Sequence, residues 1–256
     1  MDKESIEELQ NYWDNNLHDH GDEVTNEPEG SANFYRDLEN YHYYKLNYLP
    51  RVLDFSSYKG KKVLDVGCGI GIDLINFAKE GALVTGIDIS EKNVKLAAEN
   101  LRLNGLNGEF VTMNGERMKF KNDVFDMVFA IGVITYTPDP KQMISEIYRV
   151  LRPGGRAILM MYHRNSWLFY FTKLINTKLE REDAPFYLTY SIDEFREMLR
   201  DFSSFEIVVE RFPVATRIHK GFLANIYNYI FVPAFKLIPR KFIKRFGAHL
   251  IAISVK

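Results

Sequence analysis

Short apolar runs alternate with stretches of helical periodicity from residue 61 to the end of the chain. Such runs predict buried strands, and their alternation with helices is typical of parallel βαβ units. The predicted strands cover residues 62–66, 83–88, 110–113, 124–130, 156–161, 205–211 and 249–255. Seven strands with about six flanking helices predict an α/β fold with a doubly wound, mostly parallel sheet.

Capping signals mark several element ends in this pattern. Ser90 predicts a helix start after the second strand, and Asp139 followed by Pro140 predicts another. Ser191 opens a capping-box pattern. Residues 152–155 (RPGG) predict a turn before the fifth strand.

The pattern divides the chain into a helical N-terminal lid, residues 1–60, and a core, residues 61–256. Residues 163–190 and 212–247 interrupt the core and carry many aromatic side chains. Ligands of open α/β sheets bind at the carboxyl ends of the strands, near the switch in strand order. The N-terminal region and both insertions are therefore predicted to close over that edge as a lid.

Composition narrows the class of protein. The chain has 256 residues, 46% hydrophobic and 26% charged, with a net charge of −1, which is typical of a globular domain without a global attraction to nucleic acid. The single cysteine, Cys68, excludes an internal disulfide and a cysteine metal site. The acidic N-terminus indicates no signal peptide, and residues 221–235 are too short to span a bilayer. We expect a cytoplasmic protein.

A glycine-rich loop, residues 67–71 (GCGIG), lies between the first strand and a helix. Glycines let the backbone approach a ligand closely, although a tight turn without a ligand is the alternative. The dinucleotide fingerprint G-x-G-x-x-G does not fit, because the third glycine comes one residue early. Asp88 ends the second strand 23 residues after Asp65, where a carboxylate can accept both ribose hydroxyls of a nucleoside.

Four segments together resemble class I S-adenosylmethionine-dependent methyltransferases: residues 63–71 (VLDVGCGIG), 84–90 (VTGIDIS), 125–133 (FDMVFAIGV) and 151–159 (LRPGGRAIL). The similarity is greatest to the small-molecule branch that includes quinone-biosynthesis methyltransferases. It covers roughly residues 60–160 and, more loosely, the final strand. The resemblance implies the Rossmann-like methyltransferase fold with an antiparallel last strand, S-adenosyl-L-methionine as cofactor, S-adenosyl-L-homocysteine as product, and no metal.

The resemblance also assigns cofactor contacts. It implies that Asp65, Gly67, Cys68 and Gly69 hold the methionine end, that Gly71 permits close helix packing, and that Asp88 binds the ribose. For the adenine it implies Ile89, Asn114, Gly115 and Glu116, and for the methionine ammonium the backbone around Ala130 and Ile131. Asn114 departs from the aspartate frequent in the family. For Cys68, packing is favoured over a catalytic thiol.

Methyl transfer from a sulfonium needs alignment of the acceptor, the methyl group and the sulfur, and needs a base only for a protonated acceptor. Tyr136 stands where the quinone branch often has histidine, so it is a candidate for orienting the acceptor, with plain packing as the alternative. His163 directly follows the fifth strand. Its imidazole is a candidate base, although a structural role is the commoner outcome for one histidine.

Aromatic residues of the N-terminal region are candidates for the lid: Tyr12, Trp13, Tyr41 and Tyr43. They can pack on a sulfonium or clamp a flat acceptor, and packing on the core is the alternative. The late stretch of residues 222–245 mixes aromatic and basic side chains. A pocket cover with a solvated basic face is favoured there over contact with a membrane surface.

These observations predict methyl transfer to an O, N or C centre of a small, aromatic or apolar metabolite, with no nucleic-acid partner. Two alternatives stay open: a methyltransferase acting on protein or RNA, and a non-catalytic protein that binds S-adenosylmethionine and acts through a partner. The sequence does not specify the acceptor or the oligomeric state.

Overall fold

A computed structural model describes residues 3–16, 21–177 and 181–256. Eight strands build its sheet: β1 Lys62–Val66, β2 Leu83–Asp88, β3 Glu109–Thr112, β4 Phe125–Ala130, β5 Leu151–His163, β6 Thr189–Tyr190, β7 Ser204–Glu210 and β8 His249–Val255.

Helices cover both faces and one end of this sheet. They are α1 Lys3–Asn15, α2 Gly21–Val24, α3 Ala32–Lys45, α4 Leu49–Leu53, α5 Ile72–Lys79, α6 Glu91–Leu103, α7 Pro140–Val150, α8 Trp167–Leu174, α9 Ile192–Met198, α10 Phe222–Ile226, α11 Val232–Lys236 and α12 Arg240–Ile243. Phe55–Tyr58 and Ile134–Tyr136 are 3₁₀ turns, and Tyr227–Phe231 is a π-helical turn.

The strands lie in the order β3-β2-β1-β4-β5-β8-β7, and β6 pairs with the end of β5. Only the pairs that include β8 are antiparallel among these strands. The predicted doubly wound α/β fold and its antiparallel last strand are therefore confirmed. The sequence pattern did not predict β6, because two residues are too few to show a strand's alternation.

Alternate side chains of the central strands pack into two hydrophobic cores, one on each face of the sheet. Val128 and Phe129 of β4 are both fully buried, and they belong to different clusters because successive strand residues face opposite ways. Phe129 packs with Phe77 of α5, whereas Val128 packs with Ile147 of α7 and its neighbours. Burial on both faces explains why the strand reads as a continuous apolar run.

The predicted turn at residues 152–155 is wrong in its boundary, because these residues lie within β5. Phe125 pairs with Leu151 and Met127 with Arg156, so residues 152–155 bulge out opposite one residue, Asp126. The bulge keeps strand-like hydrogen bonds, since Gly154 donates to the carbonyl of Lys256 and Gly155 accepts from the amide of Lys256. Lys256 thus continues the pairing of β8 with β5 into the residues that were predicted to form a turn.

The N-terminal region packs on the start of α5. Phe34, Tyr35 and Leu38 of α3 are buried against Ile70 and Ile72, which flank the end of the glycine loop. The hydroxyl of Tyr35 donates to the carbonyl of Leu96 at 2.9 Å. The helices expected in residues 1–60 are therefore present where the chain is described, and the division at residue 60 stays a prediction.

Residues 221–246 form a C-terminal helical segment, in which α10, the π-helical turn and α11 follow one another without a break. Arg240 pairs with Glu210 at the end of β7, and Glu210 also accepts from Arg51. Within the described ranges, no helix is both long and apolar enough to cross a membrane.

Candidate active site

A cavity opens at the carboxyl ends of β1, β2 and β4, where the strand order reverses. It holds about 1260 Å³ of space free of protein atoms, part of it open to solvent. This is the position at which open α/β sheets bind ligands. Its walls come from the glycine loop, the strand ends, α1, α3 and the start of β8.

Backbone hydrogen bonds fix the glycine loop. The amides of Gly67 and Cys68 both donate to the carbonyl of Ile87, at 2.8 and 2.9 Å. Gly67 has a φ of +76°, and a Cβ there would lie 2.6 Å from the Val133 side chain. Only glycine fits both conditions. Gly69 also has a positive φ, and no protein atom lies within 4 Å of its Cβ position.

Asp88 joins the glycine loop to the N-terminus of α6. Its Oδ2 accepts from the amide of Gly69 and its Oδ1 from the amide of Ser90, both at 2.9 Å. Ser90 caps α6 and donates from its hydroxyl to Asp14 of α1 at 2.6 Å. The carboxylate therefore stands on the cavity wall in a fixed orientation, with α1 attached beside it.

Acidic side chains cluster on the same wall. Asp65, Asp73 and Asp88 are buried and line the cavity. Burial, and then the charges of Asp73 and Asp88, raise the pKa of the Asp65 carboxyl well above its usual range. Tyr43 donates to Asp73 at 2.8 Å, and His42 Nε2 lies 3.4 Å from the same carboxylate. This wall is electrostatically suited to a cationic ligand.

The cavity collects most of the residues that the family resemblance assigns to the cofactor. They are Asp65, Gly67, Cys68, Gly69, Asp88, Ile89, Asn114, Gly115 and Ile131. Three assigned residues are not among its lining residues. Gly71 caps α5 against Ala97, and Ala130 is fully buried in β4.

Glu116 is the third of these residues, and its carboxylate holds a neighbouring loop in place. It is 3% exposed and accepts from the hydroxyl of Thr137 and, at 2.8 Å, from the amide of Asp139. Both donors belong to the loop between the 3₁₀ turn after β4 and the start of α7. Glu116 thus fixes the connection that carries Tyr136.

The two catalytic candidates lie in different places. Tyr136 lines the cavity, donates to the hydroxyl of Tyr162 at 3.4 Å, and packs edge-on against Trp13 at 5.1 Å between ring centroids. His163 lines a separate small pocket instead, and its Nδ1 lies 3.0 Å from the carbonyl of Gly247. Burial lowers the pKa of the His163 imidazole, which favours the neutral ring.

Among the lid candidates, the structure brings Trp13 into the cavity wall. Tyr12 donates to Asp183 at 3.1 Å, and Tyr43 donates to Asp73 behind the wall. The ring of Tyr41 lies under the ammonium of Lys45, 5.5 Å from ring centroid to nitrogen. Lys45 is itself a lining residue.

Sequence reasoning missed a polar cluster at the other end of the cavity. His249, the first residue of β8, accepts from Arg211 at Nε2 over 2.9 Å and bonds through Nδ1 to the hydroxyl of Tyr48. Because arginine can only donate, Nε2 accepts and Nδ1 carries the proton. Arg211, His249 and Tyr162 line the cavity.

A topological signal could have found this cluster. An antiparallel last strand brings its first residue to the carboxyl end of β5, and His249 indeed pairs with Tyr162. Arg211 directly follows β7, which runs parallel to β5. Both residues therefore belong to the edge at which ligands bind.

The sheet order, the antiparallel last strand and the glycine loop beside Asp88 define the Rossmann-like fold of class I, S-adenosylmethionine-dependent methyltransferases. Residues 64–159 match the family model described as "Methyltransferase domain". That part of the chain is therefore similar to methyltransferase domains, and the resemblance predicted from the sequence motifs is confirmed.

Relatives and solved structures agree with this assignment. Ubiquinone biosynthesis O-methyltransferases of Coxiella burnetii (strain RSA 493 / Nine Mile phase I) and Pseudomonas fluorescens (strain Pf0-1) are 33% and 35% identical, over 44% of this chain and 49% of theirs. The chain thus spans about half the length of the curated relatives it matches. A Thermotoga maritima S-adenosylmethionine-dependent methyltransferase, possibly a histamine N-methyltransferase, shares the fold, with a TM-score of 0.54, 19% identity and coverage of 87% and 98%.

No group of three or more His, Cys, Asp or Glu side chains suited to a metal ion occurs in residues 3–16, 21–177 and 181–256.

Gly67→Ala should destabilise the protein more than Gly105→Ala does. Both glycines have positive φ, +76° and +67°, but a Cβ at position 105 meets no atom within 4 Å. The control should cost about 1–2 kcal/mol for the left-handed backbone. Gly67→Ala should cost ~2–5 kcal/mol, because contact with Val133 adds to that strain. Denaturant unfolding measures both; equal costs would contradict the proposed clash with Val133.

His163→Asn should flatten the pH dependence of stability. Because the folded-state pKa lies below the unfolded value of about 6.5, the unfolded chain takes up the proton first and wild-type stability falls as the pH drops below about 6.5. Asparagine keeps a donor for the Gly247 carbonyl but does not titrate. Unfolding free energies between about pH 5 and pH 8, with the exposed His219→Asn as control, measure the slope. An unchanged slope in His163→Asn contradicts this account.

Proposed function

We propose that this protein transfers the methyl group of S-adenosylmethionine to an oxygen of a small aromatic or apolar acceptor. The observation that carries the proposal is the division of one cavity into two ends. Carboxylates line it beside the glycine loop at the ends of β1 and β2. Tyr162, Arg211 and His249 line it across the switch in strand order, at the ends of β5 and β7 and the start of β8. Oxygen as the acceptor atom rests on the similarity to O-methyltransferases of ubiquinone biosynthesis.

The residues at the carboxylate-lined end are suited to binding S-adenosylmethionine. Asn93 is 3% exposed and lines the cavity, and its Oδ1 has no hydrogen-bond partner in the described part of the chain. An acceptor atom of this kind fits an amino or hydroxyl donor of a nucleoside. The open space beside Gly69 lets a ligand reach the loop, and Asp88 would accept the ribose hydroxyls.

When bound, S-adenosylmethionine supplies an electrophilic methyl group on a positively charged sulfur. The residues of the chain align the acceptor and exclude water. Asp65 and Asp73 favour the cationic methionine end, whose ammonium would offset their mutual repulsion. Trp13 and Tyr136 present aromatic surface between the two ends.

The second end favours negative charge on the acceptor. Arg211 lines the cavity at this end and carries a positive charge. A cation close to a phenolic hydroxyl lowers the pKa of that hydroxyl and raises the share of the nucleophilic oxyanion. The hydrogen bond between Arg211 and His249 Nε2 orients the guanidinium toward this end. We therefore assign Arg211 the role of orienting and activating the acceptor oxygen.

The test uses purified protein, methyl-labelled S-adenosylmethionine and cell extract separated by size. We expect label in the small-molecule fraction, and a panel of phenols and catechols then defines the acceptor. Asp88→Asn should weaken S-adenosylmethionine binding by about tenfold or more, since one charged hydrogen bond is lost. Calorimetry measures this, with the exposed Asp123→Asn as control. Label only in macromolecules, or unchanged binding by Asp88→Asn, contradicts the proposal.

Asp14→Ala should raise the KM for the acceptor by about fivefold to tenfold, because α1 loses its hydrogen bond to Ser90 and Trp13 loses its fixed place. Asp14→Asn retains an acceptor oxygen and serves as the matched control. Ser90 still caps α6 in both variants, so the core stays folded. Steady-state kinetics with both substrates measure the effect. Identical kinetics for Asp14→Ala and wild type would contradict a role of α1 in binding the acceptor.

A further inference from the structure

The C-terminal helical segment, residues 221–246, exposes an apolar stripe. Between 37% and 78% of each side chain is exposed in Phe222, Leu223, Ile226, Tyr229 and Ile230. Their spacing places them along one side of the continuous helix formed by α10, the π-helical turn and α11. Neighbouring large apolar side chains that are all exposed on a globular protein mark a contact surface.

The opposite side of the same helix packs against the rest of the protein. Phe231 packs on Phe171 of α8 at 4.6 Å and on Trp167 at 6.0 Å between ring centroids. Phe235 also contacts Trp167 at 6.0 Å, and Val232 is buried. The helix is therefore apolar on both sides and is held so that one of them faces outward.

Charge is divided sharply along the chain at the start of this region. Nine Lys and Arg and no Asp or Glu lie in residues 211–256, whereas residues 1–210 carry 24 Lys and Arg and 34 Asp and Glu. Several of the late cations are exposed: Lys236, Lys241, Lys244 and Arg245. No ion pair involves these four within the described ranges.

We propose that residues 221–246 dock this protein on the surface of an anionic phospholipid bilayer. Protruding aromatic and aliphatic side chains enter the boundary between headgroups and acyl chains, while nearby Lys and Arg side chains meet the lipid phosphates. A second copy of the chain fits this face less well, because a two-fold contact would bring the same unpaired cations together.

Docking through this segment would also place the bilayer relative to the cavity. Arg211 lines the main cavity, and Phe212 beside it packs on Phe235 of the segment at 6.5 Å between ring centroids. A bilayer bound to the segment would lie near the acceptor end of the cavity. This inference stands on the exposed stripe and the charge distribution, and it does not require the proposed methyl transfer.

Flotation of the full chain with lipid vesicles tests the proposal. Wild-type protein should float with vesicles of phosphatidylcholine and phosphatidylglycerol, bind less at high salt, and bind weakly to phosphatidylcholine alone. Two triple variants should each lower the bound fraction by at least about tenfold: F222S/Y229S/I230S on the stripe and K241E/K244E/R245E among the cations. All six side chains are exposed, so the core should remain folded, and thermal unfolding checks this.

Matched controls separate a local surface from a general effect. L103S/V111S removes exposed apolar side chains elsewhere, and K79E/K119E/K121E makes the same change in net charge on the body of the protein. Both controls should float like wild type. Absence of flotation, or equal losses in variants and controls, overturns the proposal. So does a dimer in light scattering that the stripe variant dissolves, since that result assigns the stripe to a second copy.

Discussion

The site depends on the carboxylate of Asp88, which receives two backbone N–H groups from different elements. One comes from Gly69 in the glycine loop and the other from Ser90 at the start of α6. A buried carboxylate is costly unless it is hydrogen-bonded, and here the two amides meet that requirement. The loop, the end of β2, α6 and, through Ser90 and Asp14, the first helix are thereby held around one point.

Around that point the cavity combines two electrostatic environments. Asp65 and Asp73 give one wall a negative character, whereas Arg211 gives the other end a positive one. A zwitterionic or sulfonium ligand and an electron-rich acceptor would each find a complementary wall. The fold produces this separation directly, because the ends of β1 and β2 lie on one side of the strand switch and those of β5 and β7 on the other.

The sequence predicted the fold and the glycine-loop side of the site because those features are local. A short stretch of sequence is enough to recognise a buried strand of four to seven residues. The same holds for the helix starts at Ser90 and Pro140 and for the spacing of Gly67 to Gly71. The cluster of Tyr48, His249 and Arg211 joins residues as far as 201 positions apart, and its contacts depend on strand order. His163 lies outside the cavity with its Nδ1 against the carbonyl of Gly247, a contact between residues 84 positions apart that no local pattern encodes.

Cys68 is the only cysteine in the chain, and it lines the cavity, 7% exposed. Burial, with Asp88 and Asp65 nearby, raises the pKa of its thiol well above the usual range. The thiolate, which is the form that reacts with oxidants and attacks disulfides, is therefore scarce in the folded protein. The Cys68 thiol is therefore a poor nucleophile in the folded protein, which disfavours both its oxidation and its linkage to another protein through a disulfide.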